Sequence, residues 1–183
     1  LIFPSLVGLV VLVPYFIHLV PKYIKWEPAI LSLSFFAINA ALSSVSTPLT
    51  NALNAIGKIK ITLYLMVFWT ISTWIITPQA IMMFGFNGVS YASAFIALSV
   101  VFVVIISKRF IKFAVFRILI NPFLATIFMG TVIYFASPLV VKNIIMLIFM
   151  IVFGAVIYFS TMFALAKNEI LSDIKFVREN LKK

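Results

Sequence analysis

The feature that most constrains this chain is where its charges are missing. Residues 61–107 contain no Asp, Glu, Lys or Arg, and neither do 1–20, 28–57, 118–141 or 143–166. All 14 basic and 4 acidic residues fall in the short gaps between these blocks or in the tail from residue 167 onward. A helix of about 20 apolar residues spans the hydrocarbon core of a bilayer. One Lys, Arg or Asp at its centre costs roughly 2.5–3.5 kcal/mol on insertion. Keeping every charge out of stretches this long is the pattern of a chain that crosses a membrane several times. Apolar residues make up 64% of the sequence, well above the roughly 45–50% of a soluble domain.

Length and punctuation predict an all-α integral membrane bundle of six transmembrane helices, at about 1–20, 28–56, 61–83, 88–107, 117–137 and 143–166. Pro28 suits the first position of a helix, where its missing N–H is not needed. Gly85, Asn87 and Gly88 mark the turn that divides the longest block, and Ser137-Pro138 closes the fifth span. With six spans, Lys58, Lys60, Lys108, Arg109, Lys112, Arg117 and the five basic residues of the tail share one face. Only Lys22, Lys25 and Lys142 lie on the other. The positive-inside rule places the richer face, and both ends of the segment, in the cytoplasm. The tail over 167–183 carries Ile170, Ile174, Val177 and Leu181 at helical spacing, as in a cytoplasmic amphipathic helix.

The formal charge of +10 does not point to nucleic acid, because the cations are dispersed among loops. Juxtamembrane Lys and Arg instead attract anionic lipid headgroups, at about 1 kcal/mol each. The absence of cysteine excludes a disulfide framework, thiolate catalysis and Cys-based metal sites. Starting at Leu1-Ile2-Phe3-Pro4, with no charged segment and cleavage site of a signal peptide, the chain reads as the later part of a longer membrane protein.

The second span is the unusual one. Asn39, Ser43, Ser46, Thr50 and Asn54 fall on one stripe about 80° wide at 100° per residue, with Ser44, Thr47 and Asn51 at its flanks. Polar groups at membrane depth need partners. The stripe therefore either glues helices together or lines a watery cavity, and Pro48 kinks the helix that carries it. Gly88, Ser90, Ala92, Ser93, Ala94 and Ala97 give the fourth span the small-residue pattern of tight packing. His18 is the only histidine and sits at the interface, with Tyr15, Tyr23 and Trp26 forming an aromatic belt at the same level. Gly57-Lys58 lacks the flanking residues of a phosphate-binding P-loop. No nucleophile, base or metal cluster can be assembled from one His and four boundary or tail acids. No catalytic, cofactor or metal site is expected, and the segment reads as non-enzymatic.

Several stretches together resemble the C-terminal part of the Wzx-type polysaccharide flippases of the MOP superfamily, which is related to the MATE exporters. Phe3-Pro4 through Pro14, Trp26-Glu27-Pro28-Ala29, Asn51-Ala52-Leu53-Asn54-Ala55-Ile56-Gly57-Lys58 and Phe84-Gly85-Phe86-Asn87-Gly88-Val89-Ser90-Tyr91-Ala92 follow the family's order and spacing. The resemblance covers nearly the whole chain. It implies the last six helices of a roughly fourteen-helix, two-lobed transporter: four completing the C-terminal lobe over 1–107, two peripheral ones over 108–166, then the tail. It further implies alternating-access flipping of an undecaprenyl-linked oligosaccharide, the repeat unit of O-antigen, capsule or exopolysaccharide, across a bacterial or archaeal cytoplasmic (inner) membrane, and a preceding N-terminal lobe holding the cationic groups that grip it. A drug exporter or lipid II flippase of the same superfamily, or a scaffold segment of a membrane-bound transferase, are the alternative expectations.

Overall fold

The computed structural model describes residues 1–111 and 115–180, with side chains over 1–111 and 119–166. Among the described residues every regular element is helical: α1 Ile2–Leu19, α2 Ala29–Ala55, α3 Ile59–Phe84, α4 Gly88–Ala97, α5 Val100–Lys108, α6 Val115–Val140 and α7 Ile144–Asn180. Short 3-10 helices cover Pro21–Trp26 and Gly85–Asn87. Five helical stretches are long and apolar enough to cross a membrane: Ile2–Leu19, Ala29–Ala55, Ile59–Lys108, Leu119–Val140 and Ile144–Ala166. Trp74, Met82, Leu139 and Ile145 are each more than three-quarters exposed. Such surface would be unfavourable in water and is the solvated state in lipid. The chain has the all-α, multi-pass architecture of a membrane protein.

Packing divides the chain into two compact units. One gathers residues 3–19 with 114–183, the other holds 20–113. Contacts associate α1 with α6 and α7, through a core of Leu12, Ala125, Met129, Ile133, Leu147, Met150 and Tyr158. Two glycines set that packing distance. A Cβ on Gly130 would lie 2.7 Å from Val7 Cγ1, and one on Gly154 would collide with Ile133 Cδ1.

Within 20–113, glycine geometry sets the helix boundaries. α2 ends in a Schellman motif: Gly57 has φ +76°, Lys58 N–H bonds the Leu53 carbonyl at 2.9 Å and Gly57 N–H bonds that of Asn54 at 3.0 Å. At the far end of α3, Gly85 adopts φ 61° and ψ −143°, a region essentially closed to residues with a Cβ. There the chain reverses. Ala80 backbone abuts Gly88 so closely that no Cβ fits, Trp69 Nε1 reaches Ser99 Oγ at 2.8 Å, and Lys58 Nζ lies 5.0 Å from the Phe110 ring centroid. From 80 to 69 to 58 on one arm and from 88 to 99 to 110 on the other, the steps are equal, three helical turns each. Ile59–Lys108 therefore turns back on itself, with α3 packed antiparallel against α4 and α5 turned to α2.

The expected fourth span, 88–107, is not one helix. At Leu98-Ser99 the bonds tighten to i→i−3, with Leu98 N–H on Phe95 O and Ser99 N–H on Ile96 O. α4 packs on both α2 and α3, whereas α5 packs on α2. The fifth span continues one turn past Pro138, where Val141 N–H bonds Ser137 O at 2.9 Å. The last helix runs on beyond the expected boundary but breaks at Ala166, φ −115° and ψ 20°. The side chains of Ile170, Ile174 and Val177 lie outside those described, and Leu181 outside the described residues.

Candidate functional site: an uncharged polar cleft

Two clefts stand out, one in each unit. The larger, about 590 Å³, lies among α1, α6 and α7 and is apolar apart from Ser5 and Tyr158. It offers almost no directional groups, and acyl chains solvate such a surface well. The smaller, about 330 Å³, lies among α2, α3, α4 and the start of α5 and is lined mainly by polar side chains. It has room for several waters. Placed polar groups give a site its specificity, so the smaller cleft is the candidate.

One wall is the polar stripe of α2. Asn39, Ser43, Ser46 and Thr50 line the cleft together with Thr47. Asn54, the fifth residue of the expected stripe, lies outside it and is exposed. Ser46 and Thr50 are buried, Asn39 and Ser43 half-buried. The opposite wall comes from α3, with Trp69, Thr73 and Thr77, and the back from α4 with Val89, Ser93, Ile96 and Ala97. Ser99 and Val100 complete it at the α4–α5 break. Of the fourth span's small residues, Gly88, Ser90, Ala92 and Ala94 are buried against neighbouring helices, while Ser93 and Ala97 leave space for the cleft. Sequence reasoning missed the α3 wall. Its signal was available in the spacing of Trp69, Thr73 and Thr77, four residues apart inside a charge-free span.

Most hydroxyl protons in the cleft are already committed. Ser46 and Thr47 both donate to the Ser43 carbonyl, at 3.2 and 2.9 Å. Thr50 donates to Thr47 O at 2.9 Å and Thr73 to Trp69 O at 2.8 Å. Ser43 donates to Asn39 Oδ1 at 3.1 Å, and Ser93 to Ser90 O at 2.9 Å. Each hydroxyl oxygen keeps acceptor capacity, while donors are scarcer: the Asn39 amide and the hydroxyls of Thr77 and Ser99. Among the described residues no lining side chain carries a charge. The cleft is neutral and mostly apolar in exposed area, with acceptor oxygens outnumbering free donors among its polar groups and one indole edge.

A second polar cluster closes one end of the unit. Ser32 donates to Asn87 Oδ1 at 2.6 Å, and Ser90 Oγ lies 2.7 Å from Asn87 O and 3.3 Å from Ser32 Oγ. These bonds tie the start of α2 to the hairpin turn. His18 is an exposed residue of the other unit. No group of three or more His, Cys, Asp or Glu gathers as a metal site among the described residues. No protein-family model, curated protein or solved structure matches this chain.

Proposed function

We propose that this chain is part of a transporter that moves an uncharged, hydroxyl-rich headgroup across the cytoplasmic membrane, and that the cargo is a lipid-linked oligosaccharide flipped between leaflets. The neutral polar cleft at the heart of residues 20–113 carries the reading. Sugar hydroxyls are donors that match its surplus of acceptors, and the Trp69 indole offers an apolar edge to a ring. A neutral lining also avoids the cost of desolvating charge in a bilayer. Six crossings follow if each arm of the Ile59–Lys108 hairpin spans the membrane: α3 has 26 residues, and 88–108 is of similar extent. The charge distribution then favours cytoplasmic ends. The chain carries out no covalent chemistry in this proposal. Its unit of action includes a further lobe of the same protein, where groups binding an anionic linker phosphate belong.

The test is a flipping assay on the full-length protein reconstituted with a fluorescent undecaprenyl-linked glycan. Flipping exposes inner-leaflet glycan to an external glycosidase, so replacing Asn39, Ser43 and Thr50 together by Ala should leave the inner-leaflet glycan protected. Unchanged flipping by a well-folded triple variant removes the cleft from the transport path. Export of cationic dyes with no glycan flipping would favour a drug exporter of the same superfamily instead.

A further inference from the structure

The basic end of residues 20–113 holds a feature independent of the cleft. The α2–α3 turn and the end of α5 are far apart in sequence, yet Lys58 Nζ lies 5.0 Å from the Phe110 ring centroid. Lys60 follows Lys58 in the first turn of α3, and Arg109 adjoins Phe110 in the chain. Helix α3 starts here, Lys58 is its N-cap residue, and no side chain caps its first N–H groups. Those groups and the positive end of a 26-residue helix favour an anion. The Thr62 and Ser107 hydroxyls, one turn further in, are buried and unpaired. The sole acid of this unit, Glu27, precedes the opposite end of α2, a 27-residue helix roughly 40 Å long.

We infer that this end is a binding site for the phosphate of an anionic phospholipid, with Lys58, Lys60 and Arg109 as its cationic ligands and Phe110 fixing the position of Lys58. A lipid, rather than a free phosphate, fits the surroundings. Ile59, Leu63, Tyr64 and Phe110 are all exposed next to the cations, an apolar surface along which acyl chains can lie. At about 1 kcal/mol for each basic residue near an anionic membrane, losing two cations corresponds to roughly a 30-fold loss of affinity.

The test uses the full-length protein reconstituted in nanodiscs of phosphatidylcholine with one-third phosphatidylglycerol, then extracted in mild detergent. Native mass spectrometry reads the lipid retained. The wild type should keep phosphatidylglycerol in preference to phosphatidylcholine. Lys58→Gln with Lys60→Gln should lose that preference by roughly 30-fold, while Lys22→Gln with Lys25→Gln at the other end should keep it. Phe110→Leu preserves every charge and should weaken retention several-fold, whereas Lys60→Arg, which keeps the charge that Lys60→Gln removes, should retain the wild-type preference. Equal loss from the Lys22 and Lys25 pair, or no effect of Phe110→Leu, would overturn a built site in favour of diffuse charge. Displacement of the lipid by millimolar inorganic phosphate would overturn the lipid as occupant.

Discussion

Replacing Gly88 by alanine tests the hairpin on which the cleft depends. A Cβ there would fall on the carbonyl oxygen and carbon of Ala80 and on the Ile81 nitrogen. All three are backbone atoms inside a helix, so no side-chain rotation relieves the overlap. The arms must separate by about an ångström to reach ordinary van der Waals contact, and overpacking of this kind costs about 1–3 kcal/mol. The same movement strains the bonds of Ser90 and Ser32 around Asn87, where a hydrogen bond between membrane helices averages about 0.6 kcal/mol. Alanine recovers at most about 0.5–1 kcal/mol of backbone entropy. The expected net loss is about 2 kcal/mol. Gly8 provides the control, since nothing lies within 4 Å of a Cβ built on it. Its alanine variant should be as stable as the wild type or slightly more so. Unfolding of the purified protein by SDS, followed by tryptophan fluorescence, measures both. A Gly88→Ala protein as stable as Gly8→Ala would refute the close approach of the two arms.

Other consequences are equally specific. Trp69→Phe and Ser99→Ala should each destabilise the protein, with a coupling of about 0.6 and at most about 1.7 kcal/mol in a double-mutant cycle; zero coupling would reject the bond across the cleft. Gly57→Ala should cost about 1–2 kcal/mol despite open space around it, because of its positive φ, and Gly57→Asn should cost less, because Asn tolerates that conformation. Residues 1–183 contain no cysteine, so single cysteines placed among them report on topology once any cysteine elsewhere in the protein is replaced. In intact cells a membrane-impermeant maleimide should label Phe86→Cys and Lys25→Cys, whereas Lys60→Cys should react only after permeabilisation. Labelling of Phe86→Cys and Lys60→Cys from one side would eliminate a crossing by α3.

How much of this was legible in the sequence differs from one feature to the next. The helical stretches were readable because a buried charge is so costly that its absence outlines each apolar segment. The turns at Gly57 and Gly85 were readable because each needs a backbone conformation that favours glycine. The α4–α5 break was not. Ala97-Leu98-Ser99-Val100 contains neither Gly nor Pro, and the Trp69 bond to Ser99 that accompanies the tightening joins residues 30 apart. Periodicity located the polar wall of α2, but Asn54 lay at the edge of the stripe and in the last turn, where Leu53 takes the fully buried position. The grouping of α1 with α6 and α7 had no local signature. It depends on complementary surfaces such as Val7 against Gly130, which only the folded chain brings together.

The geometry also makes the two readings of the α2 stripe compatible. Polar side chains at membrane depth can serve as helix glue or as a cavity wall, and a hydroxyl has resources for both. Pro48 lacks the N–H that would bond the Ser44 carbonyl, and nearby the Ser43 carbonyl accepts from both Ser46 and Thr47. Those protons turn back onto their own helix and stabilise a segment that proline weakens. The oxygen lone pairs remain on the cleft side, able to accept from a guest. Serine to alanine at 46 should therefore affect both stability and any ligand, because one atom serves two roles. Serine to threonine keeps the back-bonding hydroxyl and adds a methyl group to the cleft. If Ser46→Thr preserves stability to SDS while weakening glycan flipping, the roles separate at this residue. If both properties change together, the hydroxyl acts on transport only through the helix.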